Sequence, residues 1–463
     1  MQFDVVVIGS GPGGYVAAIR AAQHGKKTAI IERAELGGIC LNWGCIPTKA
    51  LLRSAEVFEL ISHADAYGVK VAAPKVDFEK VIKRSRDVAG RMSKGVTFLM
   101  KKNKIEVLSG HGKLLDRNTV EVKAADGKTQ KVTATNVIVA TGARARQIPG
   151  MEVDGKQVLS YREAMVVEKL PKSIVVVGAG AIGVEFAYFF NALGSDVTII
   201  EMMPHLLPIE DEEVSKELEK AFKGQGIKFH TETKVEKLEK TKTQVKLTIS
   251  GKDGKSEVIT AEKALMAIGV QGNIEDLGIE ELGIEMDRGY INVNENYQTN
   301  VPGVYAIGDI VGPPWLAHVA SREALNAVDH LCGHKVVPVD YGTIPGCTYC
   351  IPQVASVGLT EKKAKEQGYD IQVGKFPVRV NGKAQGMGET TGFVKIIYDK
   401  KYGELLGAHI IGPEATELIT EVTLAKSVEA TFMEVLNTVH PHPTLSEMIM
   451  EATHVAIGEP IHL

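Results

Sequence analysis

Apolar runs broken by glycine set the pattern at the start of the chain. The segment "VVVIGSGPGG" is a short apolar run that ends in a glycine-rich turn, which predicts a buried strand. Residues from Tyr15 to His24 then show helical spacing, and a second apolar run, "KTAIIE", ends at Glu32. The pattern predicts a strand, a helix and a second strand in this order.

The same pattern occurs a second time. The segment "SIVVVGAGAIG" is followed by a helical pattern through Ala192 and by the run "DVTIIE", which ends at Glu201. The first glycine and the acid are 23 positions apart in both copies, from Gly9 to Glu32 and from Gly178 to Glu201. Two glycine turns without a functional role would not be expected to share this spacing. We therefore predict an α/β fold with two Rossmann-like dinucleotide-binding domains.

Further apolar runs complete the two copies. Residues 135–143 and 262–270 are apolar strands that end in a small residue and glycine, and each is expected to return beneath its nucleotide. A third such strand, 303–309, ends at Asp309. Residues 239–259 predict a β-hairpin with an exposed turn at 253–254.

The glycines occupy the positions that a dinucleotide requires. The first makes the tight turn, the second lets the backbone approach the pyrophosphate, and the third lets helix and strand pack closely. The helix N-terminus then faces the anion, and the acid accepts the ribose hydroxyls. The candidate residues are Gly9, Gly11, Gly14 and Glu32 in the first copy and Gly178, Gly180, Ile182, Gly183 and Glu201 in the second.

The second acid also indicates which nucleotide binds. A carboxylate at Glu201 would repel a 2′-phosphate, and the next residues, "MMPHLLP", contain no arginine to bind one. The second site is therefore expected to prefer NAD over NADP. Glu201 as a merely solvated strand end is the weaker alternative.

Composition narrows the class of protein. The chain has 463 residues and a net charge of −4, so we expect several domains, and no basic stripe suggests nucleic acid. No apolar run is long enough for a membrane span. The N-terminus has no signal-peptide pattern, which indicates the cytoplasm, although a removed transit peptide stays open. Five cysteines do not form a disulfide scaffold, so a close thiol pair is expected to be redox-active or metal-binding.

Cys40 and Cys45 form such a pair in the segment "GGICLNWGC". Residues five apart in a regular helix lie about 8.6 Å apart at Cα, whereas a disulfide needs about 4.4–6.8 Å. The pair can close only if the segment is irregular, which its glycines permit. Pro47 suits a first helical position, so Cys45 is predicted just before a helix N-terminus, where the dipole stabilises a thiolate.

Zinc is the alternative for the cysteines, but it needs two more soft ligands. Cys347 and Cys350 have suitable spacing, yet prolines bracket them in a strand-like stretch, and we predict two buried thiols. His330 and His334 are four apart, at what is predicted to be a frayed helix end. No metal is therefore assigned.

Four long motifs, in order along the chain, carry a resemblance that covers its whole length. The sequence resembles the pyridine nucleotide-disulfide oxidoreductases, which are flavoproteins with a redox-active cysteine pair. The motifs are "GGICLNWGCIPTKALL" (37–52), "YAIGDIVGPPWLAHVASREA" (305–324), "GFVKIIYDKKYGELLGAHIIGP" (392–413) and "HPHPTLSEMI" (440–449).

The resemblance implies that the first nucleotide is FAD and the second is NAD. Asp309 would hold the ribityl chain, and Leu316, Ala317 and His318 would begin a helix that faces the flavin ring. Lys49 would lie near the flavin and pair with Glu185, although the residues alone favour an ordinary surface lysine. The remaining candidate cofactor-binding residues are Gly112, Thr141, Gly142 and Gly269.

The resemblance also implies roles for the catalytic residues. Cys45 would lie against the flavin, and Cys40 would exchange with a substrate dithiol. His442, oriented by Glu447, would be the base, and both would come from the partner subunit of a homodimer. Prolines flank His442 on both sides, and His440 is the alternative base.

Within the family, the sequence most resembles the members that oxidise protein-bound dihydrolipoyl groups with NAD⁺. The implied partners are the lipoyl domains and the acyltransferase core of a 2-oxo-acid dehydrogenase complex. Glutathione and mercuric reductases are the rivals: the first would show arginines after Glu201, and the second a C-terminal cysteine pair. A flavoprotein whose main role is docking is compatible with catalysis.

The resemblance divides the chain into four parts: an FAD-binding domain with the cysteine helix (1–147), an NAD-binding domain (148–273), a central segment that returns to FAD (274–340), and a C-terminal α+β dimerisation domain (341–463). Two places depart from the family. Residues 270–273 replace an arginine-containing motif, and Cys347, Cys350 and Gln353 stand where an apolar residue, Thr and Glu are usual.

Overall fold

The computed structural model describes residues 1–463, and thirteen α-helices lie between its strands along the chain. Four short 3₁₀ helices lie at 64–67, 308–311, 341–343 and 378–380. The α-helices are α1 (Pro12–Gln23), α2 (Gly38–Trp43), α3 (Cys45–Ser62), α4 (Phe78–Lys102), α5 (Tyr161–Ala164), α6 (Ala181–Ala192), α7 (Glu212–Gly224), α8 (Ala317–Leu331), α9 (Glu361–Glu366), α10 (Gly382–Met387), α11 (Ala415–Ser427), α12 (Phe432–Asn437) and α13 (Glu447–Ala456).

Twenty-four strands form six sheets. The strands are β1 (Gln2–Ile8), β2 (Thr28–Glu32), β3 (Glu106–Ser109), β4 (His111–Asp116), β5 (Thr119–Lys123), β6 (Thr129–Val139), β7 (Ala143–Ala145), β8 (Val158–Leu159), β9 (Ser173–Val177), β10 (Asp196–Ile200), β11 (Lys228–His230), β12 (Thr233–Lys240), β13 (Val245–Gly251), β14 (Ser256–Ala261), β15 (Lys263–Met266), β16 (Val270–Gly272), β17 (Met286–Asp287), β18 (Tyr290–Ile291), β19 (Val304–Ala306), β20 (Gly346–Thr348), β21 (Gln353–Gly358), β22 (Ile371–Pro377), β23 (Phe393–Asp399) and β24 (Leu405–Gly412).

The chain divides into two compact units, the first of which comprises residues 1–51, 79–146 and 269–339. Its main sheet has β1 at the centre, parallel to β2 and to β6, with β3 beyond β2 and β19 paired to β6. The long β6 also closes an antiparallel meander with β4 and β5. Burial of β1 on both faces explains its uninterrupted apolar run.

The second unit comprises residues 52–78, 147–268 and 340–463 and repeats this plan. Its parallel sheet has the order β11-β10-β9-β15-β8. Beside it, β12, β13 and β14 form an antiparallel meander. The predicted hairpin is confirmed as β13 and β14, and its turn includes the exposed Asp253 and Gly254, the latter at φ +74°.

The remainder of the second unit is an antiparallel sheet with the order β20-β21-β24-β23-β22. Strands β23 and β24 are buried along their whole length, α11 packs on β21 and β24, and α13 packs on β22 and β23. The helix α13 approaches so closely that a Cβ at Gly374 would overlap the carbonyl oxygen of Ala452. The α/β fold with an α+β C-terminal part is therefore confirmed.

A buried ion cluster holds the start of α7 against this last sheet. The Nζ of Lys395, only 1% exposed, lies 3.0 Å from Asp211 Oδ1 and 2.7 Å from both Glu213 Oε2 and Glu361 Oε2. Asp211 also caps α7 by accepting the N–H of Glu213. Burial raises the pKa of the neighbouring Glu210 to about 7, although Ser356 donates a hydrogen bond to it.

Several predicted boundaries shift by a few residues. The first helix begins at Pro12 rather than Tyr15, because proline fits the first turn of a helix. Strand β10 ends at Ile200, one residue before Glu201. No helix of the chain combines the length and apolar character that crossing a membrane requires.

Candidate active site

Both glycine-rich turns are held against the strand that closes their sheet. Gly9 has φ +100° and Gly178 has φ +103°, a region that favours glycine. A Cβ at Gly9 would overlap the carbonyl oxygen of Ala140, and a Cβ at Gly178 would overlap that of Ala267. The two turns therefore require glycine for the same steric reason.

The other glycines separate into a packed position and an open one. A Cβ at Gly14 or at Gly183 would overlap the carbonyl oxygen of the first glycine of its own turn. By contrast, nothing lies within 4 Å of a Cβ built at Gly11 or at Gly180. The open position is the one where a pyrophosphate approaches the backbone, so the residues fit a dinucleotide.

The two acids are held in the same way. Glu32 Oε2 accepts the N–H of Ser10 at 3.0 Å, and its Oε1 accepts the N–H two residues further along the chain. Glu201 Oε2 accepts the N–H of Ala179 at 2.6 Å, and its Oε1 accepts the N–H of Met203 at 2.8 Å. Each carboxylate is thereby fixed beside its glycine turn, where a ribose diol would meet it.

Gly44 breaks the helix between the two cysteines. It ends α2 with φ −142° and ψ −115°, and α3 begins at Cys45. The irregularity predicted from the glycines is thus present, but Cys45 is the first residue of its helix and Pro47 is the third. The Cys45 side chain hydrogen-bonds to Cys40.

The cysteine segment is built onto the first glycine turn. The N–H of Gly37 donates to the carbonyl oxygen of Ser10 at 3.1 Å and to Ser10 Oγ at 3.2 Å. A Cβ at Gly38 would come within 2.6 Å of Gly11 Cα. The two sulfurs are therefore carried on backbone that touches the candidate pyrophosphate position.

The surroundings of Cys40 favour its protonated form. The hydrogen bond with Cys45 and then burial raise the pKa of Cys40, while the charge of Lys49 lowers it. Burial and, next, the charge of Cys40 raise the pKa of the Tyr15 phenol. Tyr15, four residues after Gly11, was not among the predicted site residues.

Helix α4 fastens the segment from the other side. Arg84 Nη1 donates to Ala50 O at 2.6 Å, and Arg86 Nη2 donates to Asn42 O at 2.5 Å. Ser85 Oγ donates to the carbonyl oxygen of Pro47 at 2.9 Å. The arginines are more than thirty positions from their partners, so no local sequence pattern indicates these contacts.

Asp309 lies in a 3₁₀ turn just before α8. Burial raises its pKa to about 6, and no hydrogen bond from the chain offsets that rise. A half-buried carboxyl group without a partner from the chain can accept a hydrogen bond from a hydroxyl group of a bound ligand. Ala317 begins α8 as predicted, and its N-cap, Leu316, provides no side-chain cap, which leaves backbone N–H groups for an anion.

The remaining first-unit candidates lie on strand ends. A Cβ at Gly112 would be 3.1 Å from a methyl carbon of Ile8. Thr141 Oγ1 donates to Asn273 O at 2.9 Å, and Gly142 O accepts the Asn273 N–H at 2.9 Å. Gly269 has φ +97°. Asn273, in the segment that departs from the family motif, thus fastens β7 to β16.

Two further candidates lie on α6. Ile182 is 37% exposed in its first turn, and Glu185 is buried. Glu185 Oε1 accepts the N–H of Tyr349 at 3.0 Å. The expected pairing of Glu185 with Lys49 stays a prediction.

The two histidines of the last motif occupy different environments. His442 Nδ1 lies 2.9 Å from Glu447 Oε1, and its side chain is 78% exposed. His440 Nε2 lies 2.7 Å from Glu421 Oε1, but its side chain is only 3% exposed. Burial would raise the pKa of Glu447, yet the hydrogen bonds from Thr444 N–H and from His442 outweigh it and lower that pKa. His442 is the accessible imidazole of the two.

The second cysteine pair is less uniform than predicted. Cys350 is buried, whereas Cys347 is only half-buried, because it lies on β20, an edge strand of its sheet, beside Thr416. Gln353 Oε1 accepts the N–H and the hydroxyl of Thr416 at 3.2 and 2.8 Å. The glutamine therefore ties β21 to α11.

The duplicated nucleotide turns and the attached cysteine pair define a class. Residues 3–324 match the family model described as pyridine nucleotide-disulphide oxidoreductase, and residues 344–453 match the dimerisation domain of the same family. The chain belongs to this family of oxidoreductases and carries its dimerisation domain.

Relatives with known names cover nearly the whole chain. A protein of Rhizobium etli named dihydrolipoyl dehydrogenase is 50% identical over 99% of this chain and 98% of its own. One of the same name from Zymomonas mobilis is 48% identical over 100% of this chain and 99% of its own. The crystal structure of LpdA from Mycobacterium tuberculosis superposes with a TM-score of 0.91 at 30% identity, over 97% of this chain and 99% of that one.

Proposed function

We propose that this protein oxidises protein-bound dihydrolipoyl groups to lipoyl groups and reduces NAD⁺, with Cys40 and Cys45 as its redox pair. The supporting observation is the attachment of the two hydrogen-bonded cysteines to the first of two dinucleotide turns. The names of the full-length relatives give the substrate class. The proposal includes a homodimer in the cytoplasm that serves a 2-oxo-acid dehydrogenase complex through its lipoyl domains and acyltransferase core.

The residues present fit FAD in the first copy and NAD in the second. Gly9, Gly11, Gly14, Glu32 and Asp309 would hold the first, together with the uncapped start of α8. Gly178, Gly180, Gly183 and Glu201 would hold the second. When bound, FAD would carry an electron pair from the dithiol to NAD⁺.

The cysteines would perform the exchange with substrate. In the oxidised protein, a substrate thiolate attacks Cys40 of the Cys40–Cys45 disulfide, a new S–S bond forms to Cys40, and Cys45 leaves as a thiolate. The second substrate sulfur then attacks the first substrate sulfur, which is bonded to Cys40. This step forms the lipoyl disulfide and releases the Cys40 thiolate. Lys49 helps Cys40 to leave, because its charge lowers the pKa of that sulfur.

His442 would take the proton of the substrate thiol. Its Nδ1 is committed to Glu447, which leaves Nε2 as the base. The carboxylate stabilises the imidazolium that results, and the lowered pKa of Glu447 keeps that carboxyl group ionised. We infer that the pair acts in the site of the partner subunit.

We assign the four predicted parts to this scheme. Residues 1–147 and 274–340 would bind FAD, residues 148–273 would bind NAD, and residues 341–463 would form the subunit interface and supply His442. The match of the dimerisation domain to residues 344–453 supports the last assignment.

Paired histidine variants test the proposal. His442→Gln should lower dihydrolipoamide oxidation by about 10²–10⁴-fold, the usual contribution of a general base. His440→Gln is the matched control, because it changes a buried histidine two positions away and should cost little turnover. Both variants should still form the Cys40–Cys45 dithiol when NADH is added. Full dihydrolipoamide turnover by His442→Gln would contradict the assignment.

A substrate comparison tests the reaction itself. The holoprotein should turn over dihydrolipoamide with NAD⁺ much faster than it reduces glutathione disulfide with NADPH. The reverse preference would make it a glutathione reductase and overturn the proposal.

A further inference from the structure

A cavity lies directly beyond the acid of the second dinucleotide copy. It has a volume of about 320 Å³ and begins at Met202, the residue after Glu201. The N–H of Thr233 donates to the carbonyl oxygen of Glu201 at 2.9 Å, so the cavity wall is fastened to the backbone of the acid. The lining residues are Met202, Pro204, Glu232, Thr233, Lys234, Ser250, Gly251 and Lys252.

Two lysines of the meander line this cavity. The residues next to Glu201 contain no arginine, but the fold brings Lys234 from β12 and Lys252 from the end of β13 to the same place. Lysine ammonium groups are common phosphate ligands in proteins. The preference for NAD therefore cannot rest on a lack of cations here.

Each lysine is bound to a carboxylate. Lys252 Nζ lies 2.7 Å from Glu232 Oε1, and Lys234 Nζ lies 3.1 Å from Glu236 Oε2. Glu232 has a left-handed backbone at φ +49°, and its N–H donates to Met203 O at 3.0 Å. This contact fixes the Glu232 backbone at the cavity wall, and Ser250, another lining residue, donates to Glu236 at 2.6 Å.

We propose that Glu232 is a second determinant of the preference for NAD over NADP, and that it acts as a positioning residue by holding Lys252 away from a 2′-phosphate. The inference rests on the proposed function, in which the adenosine ribose meets Glu201. A 2′-phosphate would extend from that ribose into the cavity. There it meets Glu201 and two cations that already have anionic partners, so repulsion prevails.

Binding of nucleotide fragments to the FAD-loaded protein tests this inference without turnover. The probes are 5′-AMP and adenosine 2′,5′-bisphosphate, measured by calorimetry. The unmodified protein should bind 5′-AMP more tightly, and Glu201→Ala should reduce that preference. Adding Glu232→Gln should improve bisphosphate binding relative to 5′-AMP by a further factor of about ten.

Two controls separate a specific effect from a change of net charge. Lys252→Ala in the double variant should abolish the further gain. Glu239→Gln removes the same charge from β12, where Glu239 pairs with Lys237 outside the cavity, and should not change the ratio. A gain that persists without Lys252, or no gain with Glu232→Gln, would overturn the inference alone. Failure of the unmodified protein to bind 5′-AMP would overturn the proposed NAD site and the inference with it.

Discussion

The two dinucleotide copies share one turn but differ in the crossover that leaves their second strand. In both, the first and third glycines are fixed by carbonyl oxygens, the second is open, and an acid binds the amide between the first two. After Glu201, the crossover to β11 contains α7 alone. After Glu32, the crossover to β3 contains α2, α3 and α4 with Cys40 and Cys45, the proposed redox pair.

The shared turns and the differing crossovers therefore correspond to two tasks, nucleotide binding and the proposed sulfur chemistry. The shared turn provides two nucleotide sites of the same construction, and the insertion in one crossover adds the sulfur chemistry. Gly37 and Gly38 join the insertion to the first turn, and in the second copy the N–H of Leu207 donates to Ala179 O at 2.9 Å. Both crossovers therefore return to their own turn, but only the first brings cysteines there. Matched substitutions in the two copies should therefore have different chemical consequences.

The largest effect is expected from alanine at the third glycine. Gly14→Ala should prevent FAD from binding and abolish all turnover, because the new Cβ overlaps Gly9 O. Gly183→Ala should retain a yellow, FAD-loaded protein whose affinity for NADH falls by at least about 100-fold, because its Cβ overlaps Gly178 O in the same way and overpacking costs about 3 kcal/mol or more. Absorbance of the purified proteins and NADH titration measure both. Equal loss of FAD from the two variants would contradict the assignment of nucleotides to copies.

An intermediate effect is expected just before α7, the crossover helix of the second copy. Glu210 has a folded pKa of about 7, above its usual value of 4.5. Its protonated form therefore favours folding at low pH, and this contribution is lost as the pH rises through about 7. One pKa unit corresponds to about 1.4 kcal/mol, so the loss is at most about 3.5 kcal/mol.

Glu210→Gln should remove this pH dependence. The free energy of unfolding of this variant, measured by urea denaturation between pH 5 and pH 8, should increase relative to that of the unmodified protein as the pH rises. Glu217→Gln, at a carboxylate on α7 that pairs with Lys220, is the matched control and should not change the slope. Parallel curves for Glu210→Gln and the unmodified protein would refute the role of Glu210.

The smallest effect is expected where the two turns differ by one hydroxyl. Ser10 Oγ donates to Glu32 at 2.6 Å, and the second copy has Ala179 at this position. Ser10→Ala should weaken FAD binding by about two- to tenfold, since a hydrogen bond contributes about 0.5–1.5 kcal/mol. Equilibrium dialysis measures this change. A loss of more than a hundredfold would mean that the hydroxyl has a further role.

Local spacing made the duplicated copies predictable from sequence. The distance from the first glycine to the acid is a property of one strand, helix and strand unit, so Gly9, Glu32, Gly178 and Glu201 could be identified without tertiary information. The helix break between the cysteines was predictable for the same reason, since Gly44 permits it. The start of α3 was not, because Cys45 is helical despite its neighbouring glycine.

Contacts between distant segments could not be predicted. The approach of Gly38 to Gly11 and the bonds from Arg84 and Arg86 to the cysteine segment join residues that are far apart in sequence. The hairpin that carries Lys252 was predicted, but its position beside the cavity that begins at Met202 was not. Such contacts depend on tertiary packing and leave no periodic pattern.

Alkylation of one peptide tests the central claim most directly. Trypsin releases residues 34–49, which contain Cys40 and Cys45 and no other cysteine. In the air-oxidised holoprotein, iodoacetamide should leave this peptide unmodified and two hydrogens lighter than the dithiol. After anaerobic addition of one equivalent of NADH, it should carry two alkyl groups. Excess lipoamide added after NADH and before iodoacetamide should restore the unmodified disulfide peptide. Two alkyl groups before NADH is added, or none afterwards, would contradict a reversible disulfide between these sulfurs.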